Sequence, residues 1–158
     1  MQDSIKFKGH YKITLTNKVT GEKKVYEKDN LVTLAGKYAV AKRMANTNDS
    51  TLHFSYFALG SSTTAPTVND LTLGTEIFRK FKTTSSHGQN ASTVWMRVET
   101  EIDTAEGPNG GEYDIEEIGL FIEGTTDPDS GLLFSRILET ISKTDENTLT
   151  LEYTLTIT

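Results

Sequence analysis

Residues 148–158, TLTLEYTLTIT, decide how the rest of the chain is read. Leu149, Leu151, Tyr153, Leu155 and Ile157 fall on one side. Thr148, Thr150, Glu152, Thr154, Thr156 and Thr158 fall on the other. A strict period of two describes an extended strand with one apolar face. Such a face has to be covered, so a second layer must pack against it.

The same period recurs toward the N-terminus. In residues 5–16, IKFKGHYKITLT, Ile5 and Phe7 share a face, Gly9 interrupts the row, and Tyr11, Ile13 and Leu15 continue it. Turn chemistry follows in NKVTGE, and residues 23–27 read as the return strand of a hairpin. Residues 51–59 read as a strand that includes His53. Residues 60–70 are a Ser/Thr loop stiffened by Pro66, and residues 71–82 start irregularly and become a strand through Ile77, Phe78 and Phe81. Residues 83–91, TTSSHGQNA, read as polar turn material. In residues 92–102 Val94, Met96 and Val98 oppose Trp95, Arg97 and Glu99. DTAEGPNGG at 103–111 is the strongest breaker. Strands at 112–123 and 132–141 flank a second loop, GTTDPDSG at 124–131.

Residues 33–45, TLAGKYAVAKRMA, give the one helical pattern. Thr33 is placed as N-cap, and Lys42 and Arg43 lie in the last turn, where the helix dipole favours cations. Leu31, Ala35, Tyr38, Ala41 or Lys42, and Ala45 trace an apolar stripe that Ala39 and Met44 widen. NTNDS at 46–50 ends the helix. Gly36 weakens a helix interior by roughly 1 kcal/mol relative to Ala, so close packing on a sheet is the expected reason for it. The expectation is a mainly β fold: an antiparallel β-sandwich or flattened barrel of about eight strands with one α-helix at about 33–45.

At 158 residues the chain suits one domain, 1–158. It has no cysteine, so disulfides and thiolate chemistry are excluded. No apolar run approaches a membrane span, and membrane insertion is not expected. The charged, alternating start does not read as a signal peptide. The net charge of −6 is unevenly spread: residues 1–50 carry ten Lys/Arg and five Asp/Glu, residues 101–158 two and fourteen. One reading pairs the two ends inside one fold. A sharper one makes a polar molecule that docks head to tail with its copies. The basic part is too dilute and Arg-poor for a nucleic-acid patch.

Catalytic signatures are missing. His10, His53 and His87 have no metal-ligand spacing, and neither a Gly-x-Ser-x-Gly elbow nor a phosphate-cradling glycine pattern occurs. No catalytic residue, metal or cofactor is assigned. Asp114, Glu116 and Glu117 could act as a hydrolase acid–base pair, and Asp127, Asp129 and Ser130 could ligate calcium. The latter lack the full loop spacing and the distal Glu, and a solvated face is the favoured reading of both sets. Glu76 and Arg79 stand three apart on a strand, which places them on opposite faces. They are therefore expected to pair elsewhere, with Glu117, Arg136 and Lys143 as the obvious intrachain partners.

Several short motifs occur in a telling order. Ala58-Leu59-Gly60, Ala65-Pro66-Thr67, Leu73, Glu76 and Arg79 are followed by Glu117-Ile118-Gly119-Leu120-Phe121. Phe134-Ser135-Arg136 and Ile141-Ser142-Lys143-Thr144 come next, and Asn30-Leu31-Val32-Thr33 with Gly36 leads into the helix. This series, over most of the chain after about Asn30, resembles a module of tailed-bacteriophage virion proteins, mostly tail-fibre and baseplate components. One departure is Ser62, where the module has a second glycine.

The resemblance divides the chain into an N-terminal hairpin, 1–28, and the module, 30–158. It implies a non-enzymatic structural subunit localised in the virion, assembled in a host cytoplasm, with other virion proteins and copies of itself in a symmetric homo-oligomer as partners. Glu76, Arg79, Trp95, Glu117, Arg136 and Lys143 are then the structural or subunit-contact residues. A tail-associated fibre, baseplate or adaptor subunit is favoured, with a capsid decoration or head-fibre protein as the alternative. A further reading is a carbohydrate-binding β-sandwich for host-surface glycans, using Trp95 and Tyr113. Trp95 is expected to be buried against a second sheet or a neighbour.

Overall fold

The computed structural model describes residues 4–45 and 52–158. Among these it contains nine strands and one α-helix: β1 (Phe7–Asn17), β2 (Lys23–Val32), α1 (Leu34–Ala45), β3 (Phe54–Gly60), β4 (Glu76–Phe81), β5 (Thr84–Gln89), β6 (Val94–Ile102), β7 (Tyr113–Ile122), β8 (Leu132–Lys143) and β9 (Asn147–Ile157). The fold is mainly β with a single helix, as the alternation requires. All strand pairs are antiparallel, in the order β4-β3-β7-β8-β2-β1-β9-β6-β5.

The sheet curls into a half-barrel, and β2 turns its corner. Residues from Lys23 to Asn30 pair with β1, whereas Leu31 and Val32 pair with Arg136 and Ser135 of β8. The two edges are also linked, because only Lys82 and Thr83 separate β4 from β5. There the Lys82 amide donates to the Ser55 carbonyl on one wall, and the Thr83 amide to the Glu99 carbonyl on the other. The apolar faces of β1, β6 and β9 thereby meet those of β3, β7 and β8 in one core. Tyr11, Ile13, Leu151 and Tyr153 lie opposite Phe54, Phe57, Ile118 and Phe134. Tyr153 makes edge-on contacts with Tyr11, Phe54 and Phe134, at centroid distances of 4.8, 6.0 and 6.1 Å. Such aromatic pairs add about 0.5–1.5 kcal/mol each beyond area burial.

Helix α1 packs on β8. Thr33 caps it as expected: its hydroxyl accepts from the Gly36 amide at 2.9 Å and donates to the Leu133 carbonyl. A Cβ on Gly36 would stand 2.8 Å from the Phe134 carbonyl oxygen, so only glycine lets the helix approach the strand backbone this closely. The buried stripe is Gly36 and Ala39. Tyr38, Ala41 and Met44, assigned to the apolar stripe from the sequence, face outward. Small residues touch the strand here, and larger ones would hold the helix off.

Several expectations are corrected. Residues 84–89 form an edge strand, β5, paired with β6 from Thr84–Glu99 to Gln89–Val94. The stretch lacks apolar alternation because five of its six residues are exposed, and backbone pairing alone holds it. The return strand of the first hairpin runs on to Val32. Ile5 precedes β1 and is exposed, while Gly9 is buried in phase with Tyr11. His53 lies just before β3 and is exposed. Residues 46–51, read as the helix end and the first residue of a strand, lie outside the described residues.

Basic front and acidic back do meet inside the fold. β1 lies against β9 with Lys12 opposite Glu152, and the Lys28 ammonium comes within 3.7 Å of the Glu139 carboxylate.

Candidate functional site

Glu117 sits on β7 opposite Gly60 of β3, and its side chain is fully buried. A Cβ on Gly60 would collide with the Glu117 side chain, which explains glycine at that strand end. The carboxylate accepts four bonds. Arg136 Nε donates at 2.7 Å, and the amides of Ser62, Gly74 and Thr75 donate at 3.2, 3.0 and 2.8 Å. Arg136 is equally committed. Its Nη1 donates to Asp70 at 2.8 Å and its Nη2 to the Thr64 carbonyl at 2.9 Å. One buried ion pair thus holds both ends and the middle of the 61–75 loop against the outer face of β3, β7 and β8. Leu73 packs there with Ala58, Phe121 and Leu133 as a second, smaller core. Burial works against the charge on Arg136, but the bonds to Asp70 and Glu117 outweigh it and raise its pKa. At Asp70 burial is likewise opposed and outweighed, by bonds from Thr67 and Arg136 that hold the carboxyl below the ordinary carboxylate range.

Glu76 and Arg79 form the second fastening, and here the face argument from sequence is overturned. Their side chains form a fork, Nε–Oε1 2.6 Å and Nη2–Oε2 2.8 Å, with 5% and 2% of the Arg and Glu side chains exposed. Neither pairs with Glu117, Arg136 or Lys143 in an ion pair. The cause is a bulge: Leu59 faces Phe78 but Gly60 faces Glu76, so Ile77 is an extra residue. One inserted residue reverses the alternation and brings positions three apart to one side. Arg79 Nη1 also donates to the Thr125 carbonyl and to Ser130 Oγ, at 2.9 and 2.8 Å, and the Asp129 amide donates to Glu76. The guanidinium lies over the Phe121 and Tyr56 rings, 4.8 and 5.4 Å from their centroids. The 124–131 loop, read as a candidate calcium loop, is thus already organised around an organic cation.

Lys143 fastens a third loop. Its buried ammonium donates to the carbonyls of Thr104 and Gly111 at 2.7 and 3.1 Å and lies 5.6 Å from the Tyr113 ring centroid. Burial lowers its pKa, opposed by Asp103, Glu106 and Asp145. Lys80 pairs with Glu106 of the same loop. Tyr113 is half-buried, with Gly107 against its ring. Trp95 is half-buried on the outer face of its own sheet, across from Gly88, with the Arg97 guanidinium 5.7 Å from the ring centroid.

The other carboxylates are spread apart. Asp114 is exposed and accepts from Ser142, Glu116 is half-buried and accepts from Thr140 at 2.7 Å, and Glu117 is buried in its ion pair. His10 bonds to Asp29 at 2.7 Å. Among the described residues no three His, Asp or Glu side chains gather as a metal-ligand set.

Asp70 is missed in the sequence, while Ser62 and Ser130, read there as a departure from the module's glycine and as a candidate calcium ligand, join it in completing the two loop fastenings. The Thr-x-x-Asp spacing of Thr67 and Asp70, now a local turn with 2.7 Å between hydroxyl and carboxylate, was the available signal. Comparison with protein-family models, curated proteins and solved structures finds no match.

Proposed function

We propose that the chain is a non-enzymatic structural subunit of a tailed-bacteriophage virion, placed in the tail as a fibre, baseplate or adaptor component. The motif order after Asn30 is the starting point. The observation that carries the reading is the fate of four of its five charged residues. Glu76, Arg79, Glu117 and Arg136 are all buried, and their charged groups are committed to fastening two long loops onto the sheet. An acid–base catalyst needs a carboxyl that substrate can reach. These carboxylates instead build a rigid outer surface from irregular backbone, as an assembly subunit requires. A capsid decoration or head-fibre role uses the same surface. Glycan recognition through Trp95 is the weaker reading, since its ring is shared between Gly88 and Arg97.

Immunogold electron microscopy of intact particles from the source, with antibody to this chain, tests the proposal. Label at the tail supports it. Label over the head moves the subunit to the decoration role. Unlabelled particles whose mass spectra hold no peptide of this chain reject a virion role, and glycan binding would then be tested.

A further inference from the structure

The two walls of the half-barrel diverge beneath α1, and the gap is a cavity of about 390 Å³. Val40, Leu52, Phe54, Met96, Ile122 and Phe134 form much of its wall. That volume lies within the range of small-molecule sites, which are largely apolar with a few polar groups that orient the ligand. Beside the hydroxyls of Ser85 and Ser86, the ionisable groups here share one character. Arg43, Lys82, Arg97, His53 and His87 line the cavity, and no carboxylate does among the described residues.

Lys82 distinguishes this cavity from an ordinary packing gap. The other partly buried lysines have acceptors: Lys143 has carbonyls, and Lys80 has Glu106. Lys82 is half-buried where the chain crosses between edges, and its ammonium has no ion pair or hydrogen bond among the described residues. Burial alone lowers its pKa, with no carboxylate to oppose it. A cation in an apolar wall without a counter-charge is costly, and an anion brought by a ligand would remove that cost.

We infer that this cavity is a binding site for a small anionic amphiphile, a molecule with an unbranched apolar body and one carboxylate. The body lies against Val40, Phe54, Met96 and Phe134, and the carboxylate meets Lys82 at the mouth. The inference stands apart from the virion assignment, since neither the motifs nor the loop fastenings contribute to this wall.

The test uses the full chain with decanoate, below its micelle concentration, and 1-decanol as the neutral match. Titration calorimetry measures affinity, and methyl NMR shifts locate the ligand. Saturable decanoate binding is expected, with shifts at Val40, Met96 and Ile122, and about tenfold weaker binding of decanol, as a charge-assisted contact implies. Lys82→Met should erase the difference between the two ligands. Absence of saturable decanoate binding, equal affinity of wild type for both ligands, or shifts that map elsewhere would each overturn the inference. So would a folded Lys82→Met chain that still prefers decanoate. The decanoate–decanol comparison on the wild type decides even if that variant does not fold.

Discussion

Glu76 and Arg79 stand three residues apart on one strand and still form a two-pronged ion pair, 2.6 and 2.8 Å, because the bulge at Ile77 brings them to the same face. The remaining Arg79 nitrogen then reaches Thr125 and Ser130, so one side chain couples β4 to the 124–131 loop.

Arg79→Lys keeps the charge and loses the fork. An ammonium cannot bond both Glu76 oxygens and the two loop acceptors in one plane. Urea unfolding should show a loss of about 2 kcal/mol. Hydrogen exchange should quicken at the amides of Thr125, Asp129 and Ser130 more than in β3 or β7. Unchanged exchange in that loop would mean that Arg79 does not organise it.

Glu117→Gln probes the other fastening. The amide has one acceptor oxygen where the carboxylate has two, and its NH2 group meets donors from Arg136, Ser62, Gly74 or Thr75. Breaking a buried pair this way costs about 3–5 kcal/mol. The 61–75 loop should become cleavable by protease before the core unfolds. A loss below about 1 kcal/mol would show that the loop is held by Leu73 packing alone.

Much of the fold was legible because burial on one face writes a period of two into the sequence, as in β1, β6 and β9. The same rule hid β5, whose Ser, Thr, His and Gln residues have no buried face. Bulges were equally invisible. Nothing in Glu-Ile-Phe-Arg marks Ile77 as the extra residue, because a bulge is defined by the partner strand, where the register shifts between Leu59 and Gly60. Glu76, Arg79, Glu117, Arg136 and Lys143 stood out in the sequence because each is a charge set within a strand pattern, although the pairing of Glu76 with Arg79 was not legible there. Asp70 was missed, because a carboxylate in a polar loop looks solvated until the loop folds back on Arg136. The cavity had no sequence signal at all: its wall is drawn from α1, β3, β5, β6, β7 and β8, and only the curl of the sheet brings them together.

Asp70 sets a pH dependence. Its folded pKa is depressed below the unfolded value of about 3.9, so its contribution is fully present above that value and is lost as pH falls through the folded pKa. Asp70→Asn should therefore be less stable than wild type at pH 7, and the gap should narrow as pH drops below about 4. Parallel urea titrations at pH 7 and pH 3 measure it. A gap of the same size at both would assign the loss to packing in place of charge.

Gly36→Ala sets helix propensity against packing. In an exposed helix the change stabilises by up to about 1 kcal/mol. Here the new methyl meets the Phe134 carbonyl oxygen at 2.8 Å and its Cα at 2.9 Å, both backbone atoms that cannot rotate away. Overpacking of this kind costs about 1–3 kcal/mol, so the net effect should be a loss, seen as a lower thermal midpoint. Helix α1 would be lifted from β8, and the Thr33 cap, whose hydroxyl bonds Gly36 on one side and Leu133 on the other, would be pulled apart with it. Thr33→Ala on the Gly36→Ala background should then cost less than Thr33→Ala alone. Equal costs in the two backgrounds would show that helix seating and cap are independent, and that the glycine is there for some reason other than the approach to Phe134.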